Sequence, residues 1–184
     1  MSAPEQPESP GTEVDASAPL ASPRHRRVIE QERARQAWDD VREAKTRFEP
    51  RNEGERKKAE QAQDRYRSQA LGLNAMIQIN GLGQTLAFLM AKGKVDERQG
   101  SANQGIEEPG KAADALLFWH LSDWVGEQVK AGQEGLLHWI THKASVDDYR
   151  RATVECMAFG VWLRRFAEAE LKKSDDAAEQ RGNE

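Results

Sequence analysis

The chain has 184 residues, 38% of them hydrophobic and 32% charged, with a formal net charge of −4. Such a length suits one modest domain built on a single buried core. Its lone cysteine, Cys156, excludes an internal disulfide, and no run approaches the roughly eighteen uninterrupted apolar residues that a membrane helix needs.

Residues 1–23 carry Glu5, Glu8, Glu13 and Asp15 among Pro, Ser, Ala and Gly, with no basic residue and no aromatic. That composition offers too little apolar surface to offset the entropy of ordering, and a disordered acidic tail is expected. Residues 174–184 read as a second disordered polar tail, leaving 24–173 as the folded domain. Charge is segregated: residues 24–67 hold 14 basic and 10 acidic groups, 68–149 hold 6 and 10, and 150–173 hold 6 and 3. Local basic faces therefore matter more than the acidic total when the partner is a phosphate backbone.

Residues 27–48 place Val28, Ala34, Ala37, Trp38, Val41, Ala44 and Phe48 among Arg and Glu, the thin apolar stripe of an amphipathic helix. Pro50 and Gly54 end it. Residues 55–70 form a second, strongly polar helix whose candidate core contacts are Ala59, Ala62, Tyr66 and Ala70, and such a helix is expected at the surface. Around Asn80 and Gly81 the pattern fits either one kinked helix or, as we favour, a helix ending near Ile79 with Asn80 capping a second that runs to Ala91. Gly81 and Gly83 are assigned to close packing there, with Leu82, Leu86 and Leu89 on one buried face.

Residues 93–110 hold Pro109 and several glycines without periodicity and read as a long exposed loop. A helix is expected from about Ala112 to Lys130 and a short one from Gln133 to about His142. Ser145 and Asp148 have capping-box spacing and open a last helix reaching about Lys173. No segment reads as a strand. The fold class is therefore all-α, a compact bundle of about five to six helices.

On the last helix, Tyr149, Ala152, Cys156, Phe159, Leu163 and Phe166 share one face, while Arg150, Arg151, Arg164 and Arg165 align on the other. Val154, Met157, Ala158, Val161 and Trp162 lie between the arginine pairs, an apolar strip suited to a partner interface. A helix packed on both sides would bury the same strip with its arginines reaching to the edge, and the pattern admits both readings.

No catalytic or metal constellation emerges. Gly81-Leu82-Gly83 lacks the third glycine and the preceding strand of a dinucleotide loop. His138 and His142 sit one turn apart, yet Trp139 stands where a metalloprotease carries Glu, and no third ligand is evident. Cys156 falls on the core face, where a thiol behaves as a small hydrophobe. Of the five tryptophans, only Trp162 is a candidate for contact with a partner rather than the core.

The run Ile77 to Lys92, with its Asn80-Gly81-Leu82-Gly83-Gln84-Thr85-Leu86 core, and the segment Tyr149 to Ala169 together resemble the small subunit of the type III-B CRISPR effector, the Cmr complex. The resemblance covers roughly residues 27–172. It does not extend to the acidic leader, and the 93–110 loop looks longer than usual for the family. It implies a non-catalytic helical protein that stacks in more than one copy opposite the guide-bearing backbone subunits; a reduced, cytoplasmic setting is the default for a chain with one cysteine, and the failed motifs leave no cofactor expected. The implied partners are the backbone and large subunits, neighbouring copies of itself, the target RNA and, as a further candidate, the guide RNA. Within that reading Arg150, Arg151, Arg164 and Arg165, with Lys92, are the candidate phosphate contacts, holding RNA without reading bases.

Overall fold

The computed structural model describes residues 23–97 and 108–171, with side chains from Val28 onward. Both expected tails, apart from Pro23, and the middle of the expected 93–110 loop lie outside these residues. Among the described residues six α-helices follow one another: α1 Pro23–Arg47, α2 Arg56–Asn80, α3 Leu82–Gly93, α4 Pro109–Val129, α5 Leu136–His142 and α6 Val146–Glu170, with a 3-10 turn Glu53–Glu55 between the first two. There is no strand among the described residues, in keeping with the all-α reading.

The α1 stripe buries Ala37, Val41, Ala44 and Phe48, while Val28 stays exposed. Helix α2 differs from expectation. The polar stretch and the apolar island after it are one continuous helix, and it lies against both α4 and α6 rather than at the periphery. Four small or narrow contacts, Ala59, Ala62, Tyr66 and Ala70, are enough because they repeat every three to four residues and allow close helix approach, with Leu73 and Ile77 extending the seam.

Asn80 does not cap α3. The chain stays helical through Asn80, whose side chain is exposed, and turns at Gly81, which takes φ 82° and ψ 161° and serves as the cap residue. That conformation is the reason the turn falls on glycine. A Cβ there would also lie 3.0 Å from the Tyr149 hydroxyl. The same hydroxyl accepts the Gly83 amide at 3.3 Å, tying the turn to the start of α6. Gly83 itself has room, since a Cβ would meet Ile140 only at ordinary contact distance, so close packing does not require glycine at that position. Leu82, Leu86 and Leu89 are fully buried, as the spacing indicates.

Pro109, read from sequence as part of the loop, instead starts α4, where its missing N–H is no loss. Helix α4 is central: every residue from Ala112 to Phe118 is buried. Helix α5 is shorter than expected, and its first turn is capped from a distance by the Glu97 carboxylate, which accepts the Leu137 and His138 amides at 3.0 and 3.2 Å. Ser145 caps α6 by accepting the Asp148 amide at 3.2 Å. The helix closes at Glu170, with Leu171 buried as its last anchor.

Where α1, α2 and α4 meet, a buried polar cluster replaces apolar packing. The Tyr66 hydroxyl and His120 Nδ1 are 2.8 Å apart, and Asp40, 5% exposed, accepts from Gln36 Nε2 at 2.7 Å. Burial raises the Asp40 carboxyl to about 6, against a smaller opposing pull from His120. Folded Asp40 thus holds its proton more tightly than the unfolded chain, so its contribution to stability is lost as pH rises from about 4 to about 6. Asp40→Asn is expected to raise stability by about 1–2 kcal/mol at pH 8 and to leave it nearly unchanged at pH 4, read from urea midpoints at the two pH values. An equal gain at both would show that ionisation is not the cause.

Candidate functional site

Helix α6 lies between two neighbours. Arg33 meets Glu155, Trp38 packs edge-on against Phe166 and Lys45 meets Glu170, so α1 runs in the same direction as α6. On the other side Asn74 Nδ2 donates to the Met157 carbonyl at 3.0 Å, and Gly81 lies beside Tyr149, so α2 runs against it. Ala152, Cys156, Phe159 and Leu163 face inward and are completely buried. Burial pushes the Cys156 thiol up to about 12, which leaves it protonated and unreactive.

The face left open is the one the sequence marked. Arg150, Arg151, Arg164 and Arg165 are all exposed, Val154 is 68% and Val161 40% exposed, and Met157 and Ala158 are half-buried between them. Three outward positions are acidic, which reading the arginines alone passes over. Arg150 lies 3.4 Å from Asp147, Arg151 3.5 Å from Asp148 and Arg164 3.5 Å from Glu168. Arg165 instead lies over the Trp162 ring, 5.6 Å from its centroid. Exposed pairs one turn apart are worth about 0–1 kcal/mol, so phosphates can displace these carboxylates.

Trp162 is less free than its position suggests. Its Nε1 donates to Glu30 at 2.8 Å and its ring stacks on Phe166, which makes it half-buried seam between α1 and α6. Lys92 stands on a different helix from the arginines. It sits on the last turn of α3 with its ammonium 5.8 Å from the Phe88 ring centroid, nine residues, or about 13 Å of helix, beyond the Gly83 contact with α6. Sequence reading also missed the α2 wall of this surface. Leu71 and Asn74 face Gly160, Val161, Arg164 and Glu168 across a groove of about 320 Å³. A mid-helix Asn among apolar residues was the available signal.

Glu155 lies beneath the surface and anchors it. Its carboxylate accepts from Arg33 Nε at 2.9 Å, Arg33 Nη2 at 2.7 Å and Trp124 Nε1 at 2.8 Å. Elsewhere, His138 and His142 stack at 4.3 Å, with His138 also 3.3 Å from Glu134. No group of three or more His, Cys, Asp or Glu side chains among the described residues is placed to hold a metal ion. Nor is any described helix long and apolar enough to cross a membrane.

A family model described as CRISPR-associated protein (Cas_Cmr5) matches residues 29–170, which is most of the chain.

Proposed function

Because the chain belongs to the Cas_Cmr5 family of CRISPR-associated proteins, we propose that it is the non-catalytic small subunit of a type III-B Cmr ribonucleoprotein, held along the backbone subunits where it helps retain the guide and target RNA duplex. The observation that carries this reading is the outer face of α6, where two arginine pairs flank an exposed apolar strip on an otherwise well-packed helix. The pairs are fourteen residues apart, about 21 Å of helix, a span of several nucleotides. Side-chain guanidinium groups at such a spacing engage a backbone without selecting sequence, which suits a complex whose specificity comes from guide pairing. Target cleavage and the remaining chemistry then belong to other subunits.

Exposed Val154 and Val161, with the carboxylates already beside three of the arginines, favour a second reading in which this face binds protein only. The two separate on one experiment. With Arg150, Arg151, Arg164 and Arg165 all changed to Ala in the assembled complex, RNA retention is expected to fall by at least tenfold at low salt, with a shallower dependence of affinity on salt. Unchanged affinity and slope with subunits lost from the complex would favour the protein-only reading.

A further inference from the structure

We propose that the acidic leader of this chain, residues 1–22, docks on the outer face of α6 and competes with RNA there. The inference rests on the reading of that face as the RNA surface. Three observations carry it. The leader holds four carboxylates and no basic group, in two pairs, Glu5 with Glu8 and Glu13 with Asp15. Its prolines recur at positions 4, 7 and 10, a three-residue period that favours an extended polyproline-type chain. The centres of the acid pairs are seven to eight residues apart, about 23 Å at ~3.1 Å per residue, against about 21 Å between the two arginine pairs of α6.

The direction of the chain fits as well. Helices α1 and α6 run the same way, so the leader joins α1 at the end of the bundle where α6 begins. Glu13 and Asp15 are then nearest Arg150 and Arg151, and Glu5 and Glu8 extend towards Arg164 and Arg165. The eight residues from Asp15 to Pro23 span up to about 26–29 Å, enough to make that turn. Val14 and the prolines would lie over Val154, Met157 and Val161. The leader's carboxylates would replace Asp147, Asp148 and Glu168 as partners of exposed guanidiniums, an exchange between weak ion pairs that RNA reverses once it supplies a denser line of charge.

The test compares the full chain with the full chain carrying Glu5→Gln, Glu8→Gln, Glu13→Gln and Asp15→Gln, using a fluorescent twenty-nucleotide polyuridine as probe and anisotropy as readout. The neutralised leader is expected to tighten binding about three- to tenfold at 50 mM salt, with the difference vanishing near 0.5 M as the ion pairs are screened. In a background lacking the four α6 arginines the gain should disappear, and a gain that persists there would overturn docking on this face. A second readout uses no RNA. A benzophenone amino acid in place of Pro10 of the full chain is expected to cross-link within 150–165 at low salt. Cross-links confined to α1, to the C-terminal tail or to another copy would overturn the proposal. Cross-linking to α6 with no RNA affinity in either protein would leave docking standing and remove the RNA reading instead.

Discussion

Gly93→Ala is expected to lower the urea midpoint sharply, by the equivalent of about 2–3 kcal/mol of stability. A Cβ at Gly93, the last residue of α3, would lie 2.6 Å from the Ala115 backbone nitrogen and 2.7 Å from its Cα. Those atoms belong to the fully buried middle of α4 and cannot rotate away as a side-chain tip would. The two helices must move apart, and Leu86, Leu89 and Leu117 lose contacts as they do. The control is Gly72→Ala, at a mid-helix position where a Cβ meets nothing within 4 Å. There the same change is expected to be neutral or to stabilise by about 0.5–1 kcal/mol. Equal behaviour of the two variants in urea denaturation would refute the close-approach account.

Much of this packing could be read from the sequence, and the reasons for the exceptions are physical. The α3 leucines, the inward face of α6 and the Ser145 cap follow from spacing alone, since helical periodicity reports which face is buried. Periodicity does not report how much apolar surface a helix needs, and so α2 was expected outside the core. Its small residues admit α4 and α6 closely, and Tyr66 satisfies its hydroxyl on His120. The Asn80 error is one of register. Asparagine is a good cap in general, but the backbone leaves the helix one residue later, at the glycine. Along α6 the arginines were legible as a group, whereas their acidic neighbours and the hold of Glu30 on Trp162 depend on rotamers and on α1, 132 residues away in the case of Glu30. Lys92 joins the arginines on charge alone, since it belongs to α3 and helical periodicity along α6 says nothing of it.

Glu155→Ala is expected to cost about 3 kcal/mol, the second large effect. The substitution takes from the Arg33 guanidinium, with a side chain only 11% exposed, both of its hydrogen bonds to Glu155, the largest of the contacts that hold its pKa raised, and leaves it the half-exposed Glu30 alone. It also strands the Trp124 Nε1–H, whose ring stacks on Phe159 with centroids 5.4 Å apart. Removing one partner from a largely desolvated pair is more damaging than removing both. Arg33→Ala added to Glu155→Ala should therefore lower stability by much less than it does alone, a non-additivity that chemical denaturation of the four proteins measures directly. Strict additivity would show that Arg33 and Glu155 act separately. Trp124 emission should shift in both Glu155 variants, since its hydrogen bond is lost in each.

The cap that Glu97 places on α5, together with the seating of Gly93 on Ala115, frees the stretch between α3 and α4 from any duty of measuring distance. Helix α3 is fixed to α4 before that stretch begins, Glu97 fastens the chain to α5, and Pro109 restarts the helix on its own account. A change of chain length between Glu97 and Glu108 is then expected to leave both anchors in place, each doubling of a flexible connection adding only about 0.6 kcal/mol of closure entropy. The same independence makes this the point at which an inserted epitope or second domain is expected to disturb the two anchors least.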